Sequence, residues 1–260
     1  MPDLFFGIPS KGRMHEEALK WLLARGAPLE RDASSRGYLA KLKGVPNVEV
    51  HLLSAGEIAS MLDTGKLHIG LTGLDLLNER AGGAGAKVRV INGLGFSRAR
   101  VVVAVPEAWI DVDTMSDLRD VAARFHERTR SRLRVATKFR HLTRRFFASH
   151  GLFDYRVVPS LGATEGAPGA GAAELVVDIT ETGSTLSANQ LRILDDGLIL
   201  ESEAVFAASV VPEWTGDEVT ALRAFMQRLA VPLDNRLIDE LGPKQKDRGV
   251  ASAVQSEKGR

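Results

Sequence analysis

Short apolar runs recur along the chain at residues 4–8, 48–53, 69–72, 88–91, 101–105, 157–158 and 175–179, each rich in Val, Ile or Leu. Runs of this length, bounded by Gly, Pro and polar residues, predict buried strands. Between them lie segments with helical spacing. Residues 15–25 place Ala18, Leu19, Leu22 and Leu23 on one face, and residues 58–62 precede the Asp63-Thr64-Gly65 stop. Alternation of strands with helices predicts an α/β fold with a largely parallel sheet. Two more helices are predicted near 186–194 and 217–229. The segment 118–134 carries Arg119, Arg124, Arg128, Arg130, Arg132 and Arg134 against Val121, Ala122 and Phe125. With almost no interleaved aromatics, it reads as a solvated amphipathic helix rather than a nucleic-acid face.

Composition narrows the function classes. The 260 residues are 44% hydrophobic and 26% charged, ordinary for a folded chain, and 34 Lys and Arg against 33 Asp and Glu leave a formal net charge of +1. No overall field advertises a nucleic acid or a membrane, so any anion site is local. The absence of cysteine removes disulfides, thiolate zinc sites and cysteine nucleophiles and fits a reducing cytoplasm. No apolar run reaches the ~20 residues that span a bilayer, and the first residues lack an export leader pattern. Residues 243–260, small, polar and charged, are expected to form a mobile tail. The six histidines show no metal-ligand spacing. Neither a nucleotide P-loop nor a dinucleotide fingerprint is present.

The strongest chemical signal is Glu174-Leu175-Val176-Val177-Asp178-Ile179-Thr180-Glu181-Thr182-Gly183-Ser184-Thr185-Leu186. An apolar strand ends in an acidic residue, and a Thr, Gly and Ser loop then opens a helix. Free helical N–H groups, a favourable dipole and several hydroxyls suit a phosphate there, at the strand end where open α/β sheets bind ligands. Thr and Ser at such a turn also serve simply to cap a crossover helix. Asp178 tips the balance, because a carboxylate beside a phosphate cradle is unfavourable unless it grips ligand hydroxyls or a metal ion.

The segment 177–189 resembles the phosphoribosyl-pyrophosphate loop of the ATP phosphoribosyltransferase family, and further segments resemble that family in the same order. These are Ile8-Pro9-Ser10-Lys11-Gly12-Arg13-Met14, residues 65–77, residues 94–107, and residues 134–147 with 162–168. The resemblance spans roughly residues 4 to 210. It implies two α/β lobes like a type II periplasmic binding protein with the active cleft between them. Residues 1–97 and 190–235 would form the first lobe, on the nucleotide side, and 98–189 the second. The implied activity is transfer of a phosphoribosyl group to N1 of ATP, the first step of histidine biosynthesis. The implied form is the short one, a homodimer within a hetero-oligomer containing a regulatory subunit similar to histidyl-tRNA synthetase.

Residue by residue, the resemblance assigns Thr180, Thr182, Gly183, Ser184 and Thr185, with Glu165 and Asp178, to phosphoribosyl pyrophosphate. Lys11, Gly12, Arg13, Tyr38, Thr72, Gly73 and Asp75 are assigned to ATP. Lys11, Arg13, Arg36 and Asp178 carry catalysis, and Glu165 and Asp178 would hold Mg2+. Some positions depart from the family pattern. Ser54 and Glu57 stand where the third strand more often ends in Arg followed by Asp, His68 replaces an Asp, and Arg140 beside Lys138 replaces a Pro. Two other readings fit the same shape: a two-lobed cytosolic binding module, and a phosphoribosyltransferase with another acceptor base.

Overall fold

The computed structural model describes residues 4–31, 38–80, 87–160 and 162–242. Two sheets organise the chain. The first runs in the order β2-β3-β4-β1-β5-β12-β6, from β1 (Leu4–Pro9), β2 (Leu29–Arg31), β3 (Leu39–Leu42), β4 (Val45–Leu53), β5 (Ile69–Gly73), β6 (Val88–Gly93) and β12 (Ala204–Ser209). The second runs β11-β7-β10-β8-β9, from β7 (Ala99–Pro106), β8 (Leu133–Thr137), β9 (Tyr155–Pro159), β10 (Leu175–Thr180) and β11 (Leu191–Ser202). All seven sequence-predicted strands are present.

In the first sheet β1 is central, parallel to β4 and β5. Its continuous apolar sequence follows from burial on both faces. One face is covered by α1 (Arg13–Ala24), α7 (Gly216–Arg228) and α8 (Asn235–Leu241), where Phe6 stacks on Phe206 at 5.2 Å and meets Phe225 edge-on at 5.4 Å. The other face takes α2 (Ala55–Asp63) and α3 (Leu74–Asn78) through Ile58, Leu62 and Leu77. The second sheet packs Val101, Val103, Val135 and Val177 against α4 (Met115–Thr129) and α5 (Arg140–Ser149). Its opposite face meets Leu186 of α6 (Ser184–Ala188). The architecture is therefore α/β in two lobes.

The chain crosses between the sheets twice, after β6 and after β11. The crossings run side by side: Leu94 N donates to Ala204 O (2.9 Å), Ala204 N to Phe96 O (3.0 Å), and Gly95 N to a Glu203 carboxylate oxygen (2.9 Å). A paired double crossing is a natural hinge.

Four expectations are corrected. The sheets are mixed rather than largely parallel, because β12 is antiparallel to β5 and β6, and β7 to β10 and β11. The helix predicted over 186–194 ends at Ala188, Gln190 takes φ 57°, and the chain turns into β11. Pairing of β11 along β7 outweighs the weak helical spacing. Because β11 lies in the second sheet, the first is rejoined at β12 rather than near 190, and α8 carries its core out to Leu241. The arginine-rich helix stops at Thr129, where Arg130 adopts a left-handed φ of 56°, and Arg134 belongs to β8. Its Arg119, Arg124 and Arg128 are exposed, opposite buried Met115, Leu118 and Ala122, which is the solvated helix the spacing predicts. Arg36 and residues 243–260 lie outside the described residues.

Candidate active site

Two loops face each other across the lobes. The first follows β1: Ser10 N is held by Leu53 O (2.7 Å), Lys11 is exposed, and Gly12 turns at φ 80°, a left-handed angle that favours glycine. Arg13 then opens α1, whose N-terminus carries no side-chain cap. Two cations and uncapped helical N–H groups thus stand together at a strand end.

The second loop follows β10. Thr180 is buried and its hydroxyl accepts from Gly183 N (2.8 Å), which folds the turn. Gly183 sits at φ 84°. The Thr182 hydroxyl donates to Ser184 Oγ (3.0 Å), and Thr182, Ser184 and Thr185 all lie at the surface. Sequence reasoning placed all four hydroxyls on ligand; the structure gives Thr180 to shaping the loop and leaves the other three exposed.

Asp178 is half-buried, with Oδ1 accepting from Ile179 N (2.9 Å). Burial pushes its carboxyl above the ordinary Asp range, the nearby Glu165 carboxylate adds to the rise, and Lys138 opposes it. Glu165 stands on a short 3-10 turn, Thr164–Gly166, so the structure does bring the two acids together. Among the described residues no third acidic or histidine ligand joins them. A pair of carboxylates with the rest of the shell left to substrate oxygens suits Mg2+, which takes one or two carboxylates plus phosphates.

Other predicted residues are placed differently. Thr72 is fully buried and its hydroxyl donates to Ala55 O (2.8 Å) at the start of α2. Asp75 is buried and receives the Ser202 hydroxyl (2.7 Å), and burial pushes its carboxyl up. Gly73 is buried between them. The side chains of Thr72 and Asp75 are thus spent on contacts within the first lobe and at the start of the second crossing. Tyr38 is 71% exposed beside β3, with its backbone oxygen accepting from Leu52 N (2.8 Å). No described contact joins its side chain to the two loops.

Ser54 and Glu57 form a reciprocal capping box on α2: Glu57 N donates to Ser54 Oγ (3.2 Å) and Ser54 N to a Glu57 carboxylate oxygen (2.9 Å). The Ser54 hydrogen bonds hold the Glu57 carboxyl below its usual range, with a smaller contribution from Lys11. His68 is buried between Phe5, stacked at 5.4 Å, and Trp214. Its Nδ1 accepts from Phe5 N (3.1 Å), and burial pushes the imidazole down despite Glu218 at 3.4 Å from Nε2.

Two features escaped the sequence reading. Arg13 pairs with Glu181, in the loop of the opposite lobe, and with Glu17 at 3.6 Å. Glu79, just after α3, accepts from His141 N (2.9 and 3.1 Å) and Leu142 N (3.0 Å), so a first-lobe carboxylate caps second-lobe α5. Glu181 lay between two assigned threonines. Nothing local to Glu79 signals a partner more than sixty residues away.

Two α/β lobes with a hydroxyl-rich turn, a carboxylate pair and facing cations define a cleft suited to a phosphorylated ligand. Comparison with known proteins makes the class specific. The family model HisG, ATP phosphoribosyltransferase, matches residues 54–230. ATP phosphoribosyltransferase of Caulobacter vibrioides is 50% identical over 252 residues, covering 96% of this chain and 79% of that protein. Its counterpart in Bradyrhizobium diazoefficiens is 51% identical over 223 residues, 86% and 69% of the two chains. A solved structure from the Thermotoga maritima ATP phosphoribosyl transferase HisG:HisZ complex superposes with a TM-score of 0.66 at 27% identity, covering 91% of this chain and 98% of that one. The chain belongs to the ATP phosphoribosyltransferase family. It is a pentosyltransferase of the first step of histidine biosynthesis, forming phosphoribosyl-ATP and pyrophosphate. Family membership disfavours both alternative readings.

Proposed function

We propose that the transfer takes place in the cleft between the loop after β1 and the loop after β10. Thr182, Gly183, Ser184 and Thr185 would hold the 5-phosphate of phosphoribosyl pyrophosphate, with Thr180 fixing their turn. Glu165 and Asp178 would take the ribose hydroxyls and Mg2+. Lys11, Gly12 and Arg13, with Arg36 outside the described residues, would meet the phosphate chains. The observation that carries this reading is the Glu165–Asp178 pair beside the hydroxyl loop, since two adjacent carboxylates are tolerated where a cation or ligand hydroxyls neutralise them. Bound Mg2+ would neutralise charge on the pyrophosphate.

The adenine N1 of ATP is a neutral nucleophile that attacks C1 of the ribose in line with the departing pyrophosphate, so no strong general base is needed. Catalysis then rests on alignment and on cations aimed at the leaving group. Arg13, held by Glu181 in this structure, would exchange that carboxylate for a phosphate. Tyr38 is kept as an ATP contact reachable from its exposed position. Thr72, Gly73 and Asp75 would act on ATP only indirectly, from their buried positions.

The protein is further proposed to act in the cytoplasm as the short form, a homodimer with a regulatory subunit resembling histidyl-tRNA synthetase. Support comes from coverage of nearly the whole Thermotoga chain, which was solved in a HisG:HisZ complex. Among the described residues no helix is long and apolar enough to cross a membrane. The test is release of pyrophosphate from phosphoribosyl pyrophosphate. Release that requires both ATP and Mg2+ supports the assignment; release with a free base in place of ATP, or none from folded protein with the partner supplied, contradicts it.

A further inference from the structure

Away from the two loops, a cavity of about 480 Å3 lies along the outer edge of the second lobe, between α5 and edge strand β9. Arg140 and Arg144 reach it from α5 and Arg156 from β9, while Tyr155, Val157 and Pro159 line it from alternate positions of the strand. Phe153, 66% exposed, stands at its end.

The charge there is unbalanced. Arg140 and Arg144 are spaced i, i+4, where like charges on a helix destabilise it, and the α5 sequence contains no acidic residue. Arg156 lies close enough to Glu174 to help hold that carboxyl down, but Glu174 is already gripped by Arg134 at 2.6 and 3.0 Å. Among the described residues none of the three guanidiniums has an ion pair, and no acidic residue lines the cavity.

We propose that this cavity is a second ligand site, separate from the cleft, for a phosphate-bearing compound with an aromatic ring. Arg140 and Arg144 present forked donors suited to a phosphoryl dianion from one side, with Arg156 adding positive charge at the strand edge. The Tyr155 hydroxyl adds a donor that burial keeps protonated. The exposed Phe153 ring offers a stacking surface, and the volume lies within the range of small-molecule sites.

Binding of UMP, which carries both a phosphate and a ring but no adenine, tests this by equilibrium dialysis on the full chain. The wild type should bind UMP equally with and without saturating phosphoribosyl pyrophosphate, which occupies the cleft. The double variant Arg144→Gln/Arg156→Gln should bind at least tenfold more weakly while keeping wild-type formation of phosphoribosyl-ATP. Phe153→Ser should weaken UMP but leave inorganic phosphate binding unchanged, which assigns the ring. Equal UMP isotherms for wild type and the arginine double variant would overturn the site. Loss of UMP binding when phosphoribosyl pyrophosphate saturates the cleft would overturn its separation from the cleft. Because binding is read without turnover, failure of the transferase assignment would be seen independently.

Discussion

Replacing Glu79 by Ala removes a carboxylate that accepts three close contacts from two N–H groups of another lobe's helix, at 2.9 to 3.1 Å. Loss of an N-terminal cap costs about 1 kcal/mol within a range of roughly 0.5–2 kcal/mol, and a half-buried charge at a helix start adds a few tenths. His141 N is exposed enough for water to replace part of the bond, so about 1 kcal/mol in total is the working figure. Glu79 and α5 lie on different lobes, so this loss falls on their apposition rather than on either core. A change of about 1 kcal/mol shifts the balance between apposed and parted lobes about fivefold. The chain has no cysteine, so cysteines introduced at exposed Lys20 and Ala148 take a fluorescent dye pair uniquely. Glu79→Ala should raise the parted fraction about fivefold, with Glu79→Gln between it and wild type and thermal midpoints changed little. An unchanged distance distribution, or a large fall in midpoint without one, would refute the assignment of Glu79 as an interlobe contact.

Other substitutions probe single contacts. Asp178→Ala should lower turnover with phosphoribosyl pyrophosphate at least tenfold, about 1.4 kcal/mol, and wild-type kinetics would remove the carboxylate from the mechanism. Ser54→Arg should lower the thermal midpoint by about 2–4 °C through loss of the capping box and raise turnover by placing a guanidinium near Lys11; unchanged turnover would mean existing cations already serve the leaving group. His68 has a folded-state value below its unfolded 6.5, so the unfolded chain binds more protons and stability falls as pH drops below about 6.5. His68→Asn, which keeps an acceptor for Phe5 N, should therefore narrow the difference in urea midpoint between about pH 7.5 and 5.5; an undiminished difference would place the acid sensitivity elsewhere.

The strands the sequence revealed were those with uninterrupted apolar runs, because burial on both faces leaves no room for polar residues. β11 was missed for the opposite reason: in Leu191–Ser202 the polar Asp195-Asp196-Gly197 interrupts an irregular ladder with register shifts. β12 (Ala204–Ser209) was missed because Ala-Val-Phe-Ala-Ala has little β-branched character; its neighbours β5 and β6 make it a strand. The two candidate loops were legible because their signals are local, and the structure shows the glycine turns and exposed side chains that the sequence suggests there. Thr72 and Asp75 carry the same local signature of a strand, a turn and a helix start, yet their side chains turn inward to Ala55 and Ser202. Whether a polar side chain meets ligand or backbone depends on tertiary neighbours that spacing does not encode. The cross-lobe carboxylates Glu79 and Glu181 are invisible for the same reason.

The most direct test of the central claim is formation of phosphoribosyl-ATP, followed by its ultraviolet absorbance, with the purified chain alone and then with a histidyl-tRNA-synthetase-like subunit added. The account predicts Mg2+-dependent product that increases with the partner and is lost in Asp178→Ala. Absence of product under both conditions from folded protein, or full product from Asp178→Ala, would contradict it.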